Sequence, residues 1–418
     1  MTKRPVTFDE LKRVLFARGN FGMKLGLERM REALRLLGEP QRRYQSLHVA
    51  GTNGKGSTCA FAEASLRAAG LRTGLYTSPH LRHFCERIRV GFAPVSEERA
   101  AALLDEIVRR VPWALEGEAG LTFFEIATLM GFLAFAQERV DVAVIEVGMG
   151  GRLDATNVLE ARACAIAPLG LEHTEYLGPT LAHVAREKAG ILREGVPAVT
   201  AAQDPEAAAV LAAVPARWLS FAFDRDPFVY RGPAWTVRAE PSLAGFYQRE
   251  NAALACALLE AAALPGVEPE HLEEGLRTAR WPGRLEVHSG SPRILLDGAH
   301  NPHAARALAR SLSGTQRLHL VFGCMQDKDA RAMLEALAPL AVSVHFCAAD
   351  SPRARSAQAL ADLWPGRAHQ TPAAALEAAR SAAGPDGTVL CCGSLYLAGE
   401  ISAVLAGEAS PRMPSERL

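Results

Sequence analysis

The segment Leu47-His48-Val49-Ala50-Gly51-Thr52-Asn53-Gly54-Lys55-Gly56-Ser57-Thr58 brings together an apolar run, glycines, a lysine and hydroxyls, in an order that could hold a polyphosphate. Glycines let backbone N–H groups turn inward around an anion, and the start of a following helix adds partial positive charge. Lys55 would reach the outer phosphates, and a hydroxyl just beyond it would hold Mg²⁺. The general phosphate-loop pattern has Ser or Thr directly after the lysine; here Gly56 intervenes and the hydroxyls are Ser57 and Thr58. A second anchor runs from Asp141 to Arg152, where a β-branched run delivers Glu146 and then a glycine turn, with Asp154 and Asn157 beyond. An acidic residue at the tip of a strand parallel to the phosphate-loop strand is what a Mg²⁺-nucleotide site needs. Ser78, after a strand at 72–77, and His173, after a strand at 163–169, would emerge on that same carboxyl edge. His80, Arg82, His83, Arg87 and Arg89 make the stretch after Ser78 basic, and on pattern it is either part of the site or a solvated loop.

The framework that must position these groups reads as alternating strands and helices. Helices are expected at 8–19 and 27–37, where Leu27, Met30, Leu34 and Leu37 fall on one face, with a glycine-containing loop at 21–26 between them. Further helices are expected at 96–110, 122–138, 180–192, 204–213 and 268–278, and an alanine-rich one is headed by Gln248-Arg249-Glu250-Asn251. Thr122 and Glu125 fit a capping box, and the two aromatics between them would suit a flat ring ligand. On pattern, Lys188 is a surface cation complementing the end of helix 180–192. Strands are expected at 197–200 and 217–220, with a hairpin over 229–238. After a break at Trp281-Pro282-Gly283-Arg284 the pattern restarts. Strands at 293–297, 317–322, 342–347 and 388–392, and a weak one near 366–369, alternate with helices at 303–312, 329–339, 353–363, 372–383 and 394–405. The first strand of this second α/β unit ends in Asp297-Gly298-Ala299-His300-Asn301-Pro302. Polar groups thus stand at a strand tip, with proline in the first helical turn.

Composition bounds the function classes. With 418 residues, 49% hydrophobic and 22% charged, this is an ordinary globular chain of two or three domains. Lys+Arg and Asp+Glu are 46 each, a balance that gives no support for a nucleic-acid or membrane-surface partner. The N-terminal ten residues have no apolar signal core. The longest largely apolar stretch, Ala252 to Leu264, is short of the roughly 20 residues that span a bilayer. Eight scattered cysteines with no CxxC pair read as reduced core residues of a cytoplasmic protein, and suggest neither a disulfide framework nor zinc.

Taken in order, the motifs resemble those of the folylpolyglutamate synthase/dihydrofolate synthase family, within the Mur-type ATP-dependent amide ligases. The matching pieces are Gly51 to Ser57, Ser78-Pro79-His80-Leu81, Glu86-Arg87-Ile88, Leu121 to Glu125, Glu146 to Asn157, Arg186 to Ile191, Pro282 to Glu286, Leu296 to Pro302 and Phe322 to Asp329. Gly56 after Lys55, unusual for a general phosphate loop, is the norm in that family. The resemblance implies an α/β fold: an N-terminal phosphate-loop ATPase-like domain over 1–285 with a mainly parallel sheet, and a smaller C-terminal Rossmann-like α/β domain over 286–418. It implies ATP between the two, phosphorylating a pterin-bearing carboxylate (dihydropteroate, a reduced folate or both) that the amine of L-glutamate then attacks. By carry-over, Thr52, Asn53, Gly54, Lys55, Gly56, Ser57, Thr58, Asn251, Arg284, Asp297 and His300 would hold ATP. Ser57, Ser78 and Glu146 would bind a first Mg²⁺, and Glu146 and His173 a second, aided by Lys188 as a carbamate, which reverses the surface reading of that lysine. Lys55, His173 and Lys188 would carry the catalysis. Thr122, Phe124, Glu125, Arg152, Leu153 and Asp154 would border the pterin substrate. The expected protein is a cytoplasmic monomer whose partners are small molecules. One departure stands out: Glu172 precedes His173 where the family commonly has Asp.

Two rival readings fit the phosphate loop less completely. A kinase or GTPase-like switch would need neither a second α/β unit bearing Asp297 and His300 nor His173 with Lys188. A Mur-type ligase for another acid, such as a cell-wall nucleotide peptide, is disfavoured by the Thr122–Glu125 segment and by Ser78-Pro79-His80.

Overall fold

The computed structural model describes residues 7–19 and 26–408. The expectations for the N-terminal six residues, for the loop over 21–25 and for the polar tail beyond 408 lie outside the described residues.

An eight-stranded sheet organises the first unit. Its strands are β1 (Gln45–Ala50), β2 (Thr73–Tyr76), β3 (Ile88–Val90), β4 (Ala93–Pro94), β5 (Val142–Glu146), β6 (Ala163–Ile166), β7 (Pro197–Thr200) and β8 (Arg217–Trp218), in the order β4-β3-β2-β5-β1-β6-β7-β8. The strands from β2 to β8 run parallel, and only β3 and β4 turn antiparallel at one edge. β5 is buried along its whole length, because its β-branched residues face helices on both sides. Val142 and Val144 join Leu47 and Val49 in one core, beneath helices Lys55–Ala68 and Gln248–Ala262. Ala143 and Ile145 face the other core, built from helices Phe8–Gly19, Glu28–Leu37, Glu97–Arg110 and Phe123–Gln137. Two such layers are what a parallel sheet with α-crossovers requires.

A small antiparallel sheet of β9 (Ala222–Arg225), β10 (Phe228–Arg231) and β11 (Thr236–Arg238) seats Phe228, Tyr230 and Val237 in the first of those cores, beside helix Gln248–Ala262. Beyond its polar first turn, that helix carries Glu260 among apolar residues, buried and accepting a 2.5 Å hydrogen bond from the Tyr230 hydroxyl. The second unit has β12 (Glu286–His288), β13 (Arg293–Leu296), β14 (Leu318–Phe322), β15 (Ala341–Phe346), β16 (Arg367–Ala368) and β17 (Thr388–Cys392), in the order β12-β13-β17-β14-β15-β16. All but β12 are parallel, and alternate residues of β14 enter cores on opposite faces: Leu320 and Phe322 on one, Val321 on the other.

The expected elements form close to their expected bounds, with three differences. The hairpin over 229–238 is a three-stranded sheet, because β9 alternates exposed and half-buried residues and declares itself only through its partner β10. The stretch 353–363 is helical only over Ala357–Ala361; before Ser356, which caps it, Ala354 bridges back to Met325. The basic stretch after Ser78 is no solvated loop. His80 and Arg87 are buried, the Arg87 Nε donates to His80 Nδ1 at 2.8 Å, and the Arg87 guanidinium stacks 5.0 Å from the Phe123 ring. Burial, with Arg87 alongside, pushes His80 well below the ordinary imidazole range, so it stays neutral.

The helix that carries the phosphate loop is buried almost throughout, wedged between the sheet and helix Pro269–Thr278. The crossing is possible because Gly275 is buried directly against the Ser65 backbone, where a Cβ would collide. Gly275→Ala is expected to push the two helices apart and destabilise the protein by about 1–3 kcal/mol, read as a lower midpoint in urea unfolding with an unchanged slope.

Candidate active site

The order β2-β5-β1-β6 sets the site. Four parallel neighbours end on one edge of the sheet, so the turns after them converge: Ser78 after β2, Glu146 closing β5, the loop 51–54 after β1, and Glu172 and His173 after β6. Facing this edge is the tip of β13, with Asp297 to His300. Between them lies a cavity of about 360 Å³, lined by both units.

The phosphate loop enters helix Lys55–Ala68 through Gly54, whose φ is 86°. A Cβ there would be strained by that dihedral and would also strike the Asn251 side chain. The Lys55 amine donates to the Thr52 carbonyl at 3.3 Å and stands 4.0 Å from a Glu146 carboxylate oxygen. Glu146 is buried and its other oxygen accepts from the Ser78 amide at 3.2 Å. Burial raises its pKa, and Lys55, the Ser78 amide, Arg284 and Arg87 partly oppose that rise. Ser57, buried, accepts from Gln248 Nε2 at 3.2 Å, and Gln248 in turn accepts from Asn251 at 2.9 Å.

Lys188 corrects the pattern-based reading of a surface cation. It is 4% exposed, and its amine donates to the Gly51 carbonyl at 2.6 Å. Among the described residues no carboxylate forms an ion pair with it. Burial, with Lys55 nearby, pushes its pKa down to about 7. The helix ends at Ala189, and its last turn lies under the glycine turn of residues 150–151 rather than in solvent. His173 adopts a left-handed backbone (φ 52°), and burial pushes its imidazole down to about 4 against the pull of Glu172. Its neutral ring keeps one nitrogen lone pair available for a metal. Glu172 is half-buried, with only 8% of its side chain exposed; it accepts from His300 Nε2 at 3.0 Å and lies 3.7 Å from Lys328. Burial alone would raise its pKa, but the hydrogen bond from His300 and the charges of His300, His173 and Lys328 hold it well below the carboxylate range.

Asp297 accepts from the Tyr247 hydroxyl at 2.9 Å and from the amides of Leu285 and Ala299 at 2.7 and 2.8 Å. The cavity thus gathers Thr52, Asn53, Gly54, Lys55, Gly56, Ser57, Ser78, Glu146, His173, Lys188, Asn251, Arg284, Asp297 and His300. It does not gather the rest. Thr58 is fully buried away from it. Thr122, Phe124, Glu125, Arg152, Leu153 and Asp154 lie outside its lining. Thr122 and Glu125 form a reciprocal capping box, with the Glu125 carboxylate 3.1 Å from Arg29. Arg152 pairs with Glu187, and buried Asp154 accepts from the Met149 and Thr156 amides, holding the turn after β5. Phe124 reaches that turn over Gly148, which does line the cavity. Tyr247 and His303 carry no reading in the sequence, whereas Gln248, Asn301 and Lys328 stand inside the motifs 248–251, 297–302 and 322–329 without a role of their own. Tyr247, one turn before Asn251, could have been found from the head of that helix; His303 carries no spacing signal.

The donors present suit a hard cation. Glu146, Ser57 and Ser78 offer oxygens, and among the described residues no three carboxylates, imidazoles or thiols converge on one point. Mg²⁺ typically takes one or two carboxylates and completes its shell with water and substrate phosphates, so a sparse protein donor set beside a phosphate loop fits it.

The Mur ligase middle domain matches residues 49–259, and the Mur ligase glutamate ligase domain matches residues 283–395. The chain is 36% identical to the dihydrofolate synthase/folylpolyglutamate synthase of Bacillus subtilis, over 94% of this chain and 98% of that one. It superposes on Escherichia coli FolC in complex with DHPP and ADP with a TM-score of 0.87 at 32% identity, covering 97% and 98% of the two chains. A bifunctional folylpolyglutamate synthase/dihydrofolate synthase with Mn, AMPPNP and L-glutamate bound gives the same score, identity and coverage.

Lys55 is the cation nearest to Glu146 and the only one in the loop. Lys55→Ala is therefore expected to lower ATP turnover by at least about a hundredfold while the far-ultraviolet circular dichroism stays that of the parent. Turnover within a few-fold of the parent would show that the loop does not act through its lysine.

Proposed function

The chain belongs to the folylpolyglutamate synthase/dihydrofolate synthase family of Mur ligases, and from that premise we propose how its residues divide the work. The protein is an ATP-dependent acid–amino-acid ligase that joins L-glutamate to a pterin carboxylate. The observation that carries the residue assignments is the single cavity lined from one side by the phosphate loop and Glu146 and from the other by Asp297 and His300. A carboxylate is a poor electrophile; transfer of the γ-phosphoryl group of ATP to it creates a leaving group. The amine of glutamate then attacks the acyl carbon, the C–O bond to phosphate breaks, and amide, phosphate and a proton are released.

In this reading the backbone of residues 52–57 cradles the phosphates, Lys55 offsets the charge that develops on transfer, Arg284 faces the phosphates and Asp297 the ribose, with Asn251 and His300 completing the nucleotide site. Ser57, Ser78 and Glu146 hold one Mg²⁺, and Glu146, His173 and carbamylated Lys188 a second. Bound there, the metals supply charge neutralisation and a template for the two anionic reactants. Carbamylation joins CO₂ to a neutral amine with loss of a proton. A buried lysine without an ion-pair partner is suited to become an anionic oxygen ligand, because the modification replaces an uncompensated cation. The pterin acid approaches along Phe124 and Gly148, with Thr122, Glu125, Arg152, Leu153 and Asp154 shaping that wall. Thr58 supports the loop from behind.

We place the division between units at 285/286, since β12 already belongs to the second sheet. We also assign the protein as a cytoplasmic monomer. Its eight cysteines are free and buried, as a reducing compartment would leave them, and no helix among the described residues is long and apolar enough to cross a membrane.

The function is tested by offering purified protein ATP, Mg²⁺ and glutamate with dihydropteroate or a tetrahydrofolate in turn, and reading products by mass. A gain of one glutamyl residue on at least one acid is expected; glutamate-independent ATP hydrolysis with neither acid extended would refute it. The lysine assignment is tested separately. Lys188→Ala should lose most activity and recover part of it in acetate, whereas Lys188→Arg should stay inactive, because guanidinium does not take up CO₂ in this way. Normal ligation by Lys188→Arg would restore the plain-cation reading.

A further inference from the structure

Adjacent residues of the second unit, His300 and Asn301, reach two different loops of the first. His300 Nε2 meets the Glu172 carboxylate at 3.0 Å, in the turn after β6. Asn301 Nδ2 donates to Asn53 Oδ1 at 3.0 Å, and Asn53 Nδ2 returns a longer bond of 3.4 Å to Asn301 Oδ1, while also meeting His303 Nδ1 at 2.8 Å. Asn53 lies inside the phosphate loop. Asn301 is 4% exposed and is also the N-cap of helix Pro302–Ser311, accepting from the Ala304 amide at 2.8 Å. The cap explains why a short polar residue stands at 301, but a cap uses only the side-chain oxygen. The amide nitrogen does separate work across the cavity.

Glu172 shows the same division. Its carboxylate spans from the first unit to His300 and, at 3.7 Å, to Lys328, both in the second. Lys328 has a nearer partner in Asp327 at 3.2 Å, so Glu172 is not needed to neutralise it. What Glu172 provides is reach.

We propose that Asn301 and Glu172 are positioning residues: through the turn His300-Asn301 they dock the second unit onto the phosphate loop and the turn after β6 at once, so that both loops take their working placement from one rigid two-residue key. The inference rests on the reading of residues 51–58 as the cradle of the nucleotide phosphates. It goes beyond that reading in assigning the loop's placement to a side chain that touches no reacting group. A hydrogen-bonded pair of amides is directional at both ends, so it fixes register where an apolar contact would only fix proximity.

The pair is tested by a double-mutant cycle on the full chain, with the parent assayed alongside. Serine at 301 keeps an N-cap oxygen but is too short to reach Asn53. Asn301→Ser is expected to lower kcat roughly tenfold, to leave KM for the pterin acid within about a factor of two, and to shift the melting temperature by less than about 2 °C. In an Asn53→Ser background the same change should have no further effect, because the partner is already gone. An equal loss in both backgrounds, or no loss in the parent, overturns the pairing. If serine at 301 prevents folding, Asn301→Asp, which caps equally well and lacks the amide donor, goes through the same cycle. Reach is tested at Glu172. Glu172→Gln keeps the length and should retain activity within about threefold, whereas Glu172→Asp keeps the charge and should lose roughly tenfold. The reverse ranking would show that charge beside His173 matters and the docking role does not exist. A parent that fails to ligate glutamate would instead refute the functional reading.

Discussion

Everything in the cavity depends on Lys55 and Glu146 being held together at the carboxyl edge of a sheet buried on both faces. Neither charge would be stable there alone: burial drives Glu146 toward its neutral form, and the lysine, with the Ser78 amide, counters that drive. The pair is long, 4.0 Å, and each partner keeps bonds to backbone. Such a pair is under-satisfied by design of the fold, and a polyphosphate with its metal would supply what both partners lack. The same logic extends to Lys188 and His173, two more groups that burial holds near neutrality within reach of the same edge.

Strand order makes this arrangement cheap to build. With β2, β5, β1 and β6 adjacent and parallel, four loops separated by long stretches of chain end side by side without any of them crossing the core. The second unit repeats the plan on a smaller scale and presents the tip of β13. The groups lining the cavity therefore sit on rigid elements, while the units meet through a small apolar contact of Leu81 with Leu395 and Ala398 and otherwise through polar bonds, among them Tyr247 with Asp297, Phe246 with Ser311, Arg82 with Glu408 and those around His300 and Asn301. Interfaces of that kind permit relative motion of the halves, a common property of sites that must admit several substrates and then exclude water.

Much of this was legible in the chain because the informative signals are local. The phosphate loop, the β-branched run ending in Glu146, and the strand tip at Asp297 each announce themselves within about ten residues, and so do the helices whose apolar positions recur at helical spacing. What the pattern hid depends on contacts between distant segments. Lys188 sits in an amphipathic helix at a place where a solvated cation is normal, and only the packing of that last turn under residues 150–151 makes it buried. The edge strands β3, β4, β9 and β12 are two to four residues long and have too little sequence to show alternation. The residues expected to border the pterin substrate are a different case: their own hydrogen bonds account for most of their polar atoms, and their link to the cavity runs through Phe124 and Gly148.

The brevity of the outermost strands has a bearing on how the chain behaves in a crowded solution. One sheet ends in β4 and β8 and the other in β12 and β16, none longer than three residues. A sheet margin invites pairing with another molecule in proportion to the length of unpaired backbone it displays. Here each margin offers a ladder of one or two bonds at most, and β4 closes on Pro94, which has no N–H to give. Two long, strongly apolar parallel sheets, slow to assemble and hazardous when exposed, are thereby finished with hems too short for a neighbour to grip.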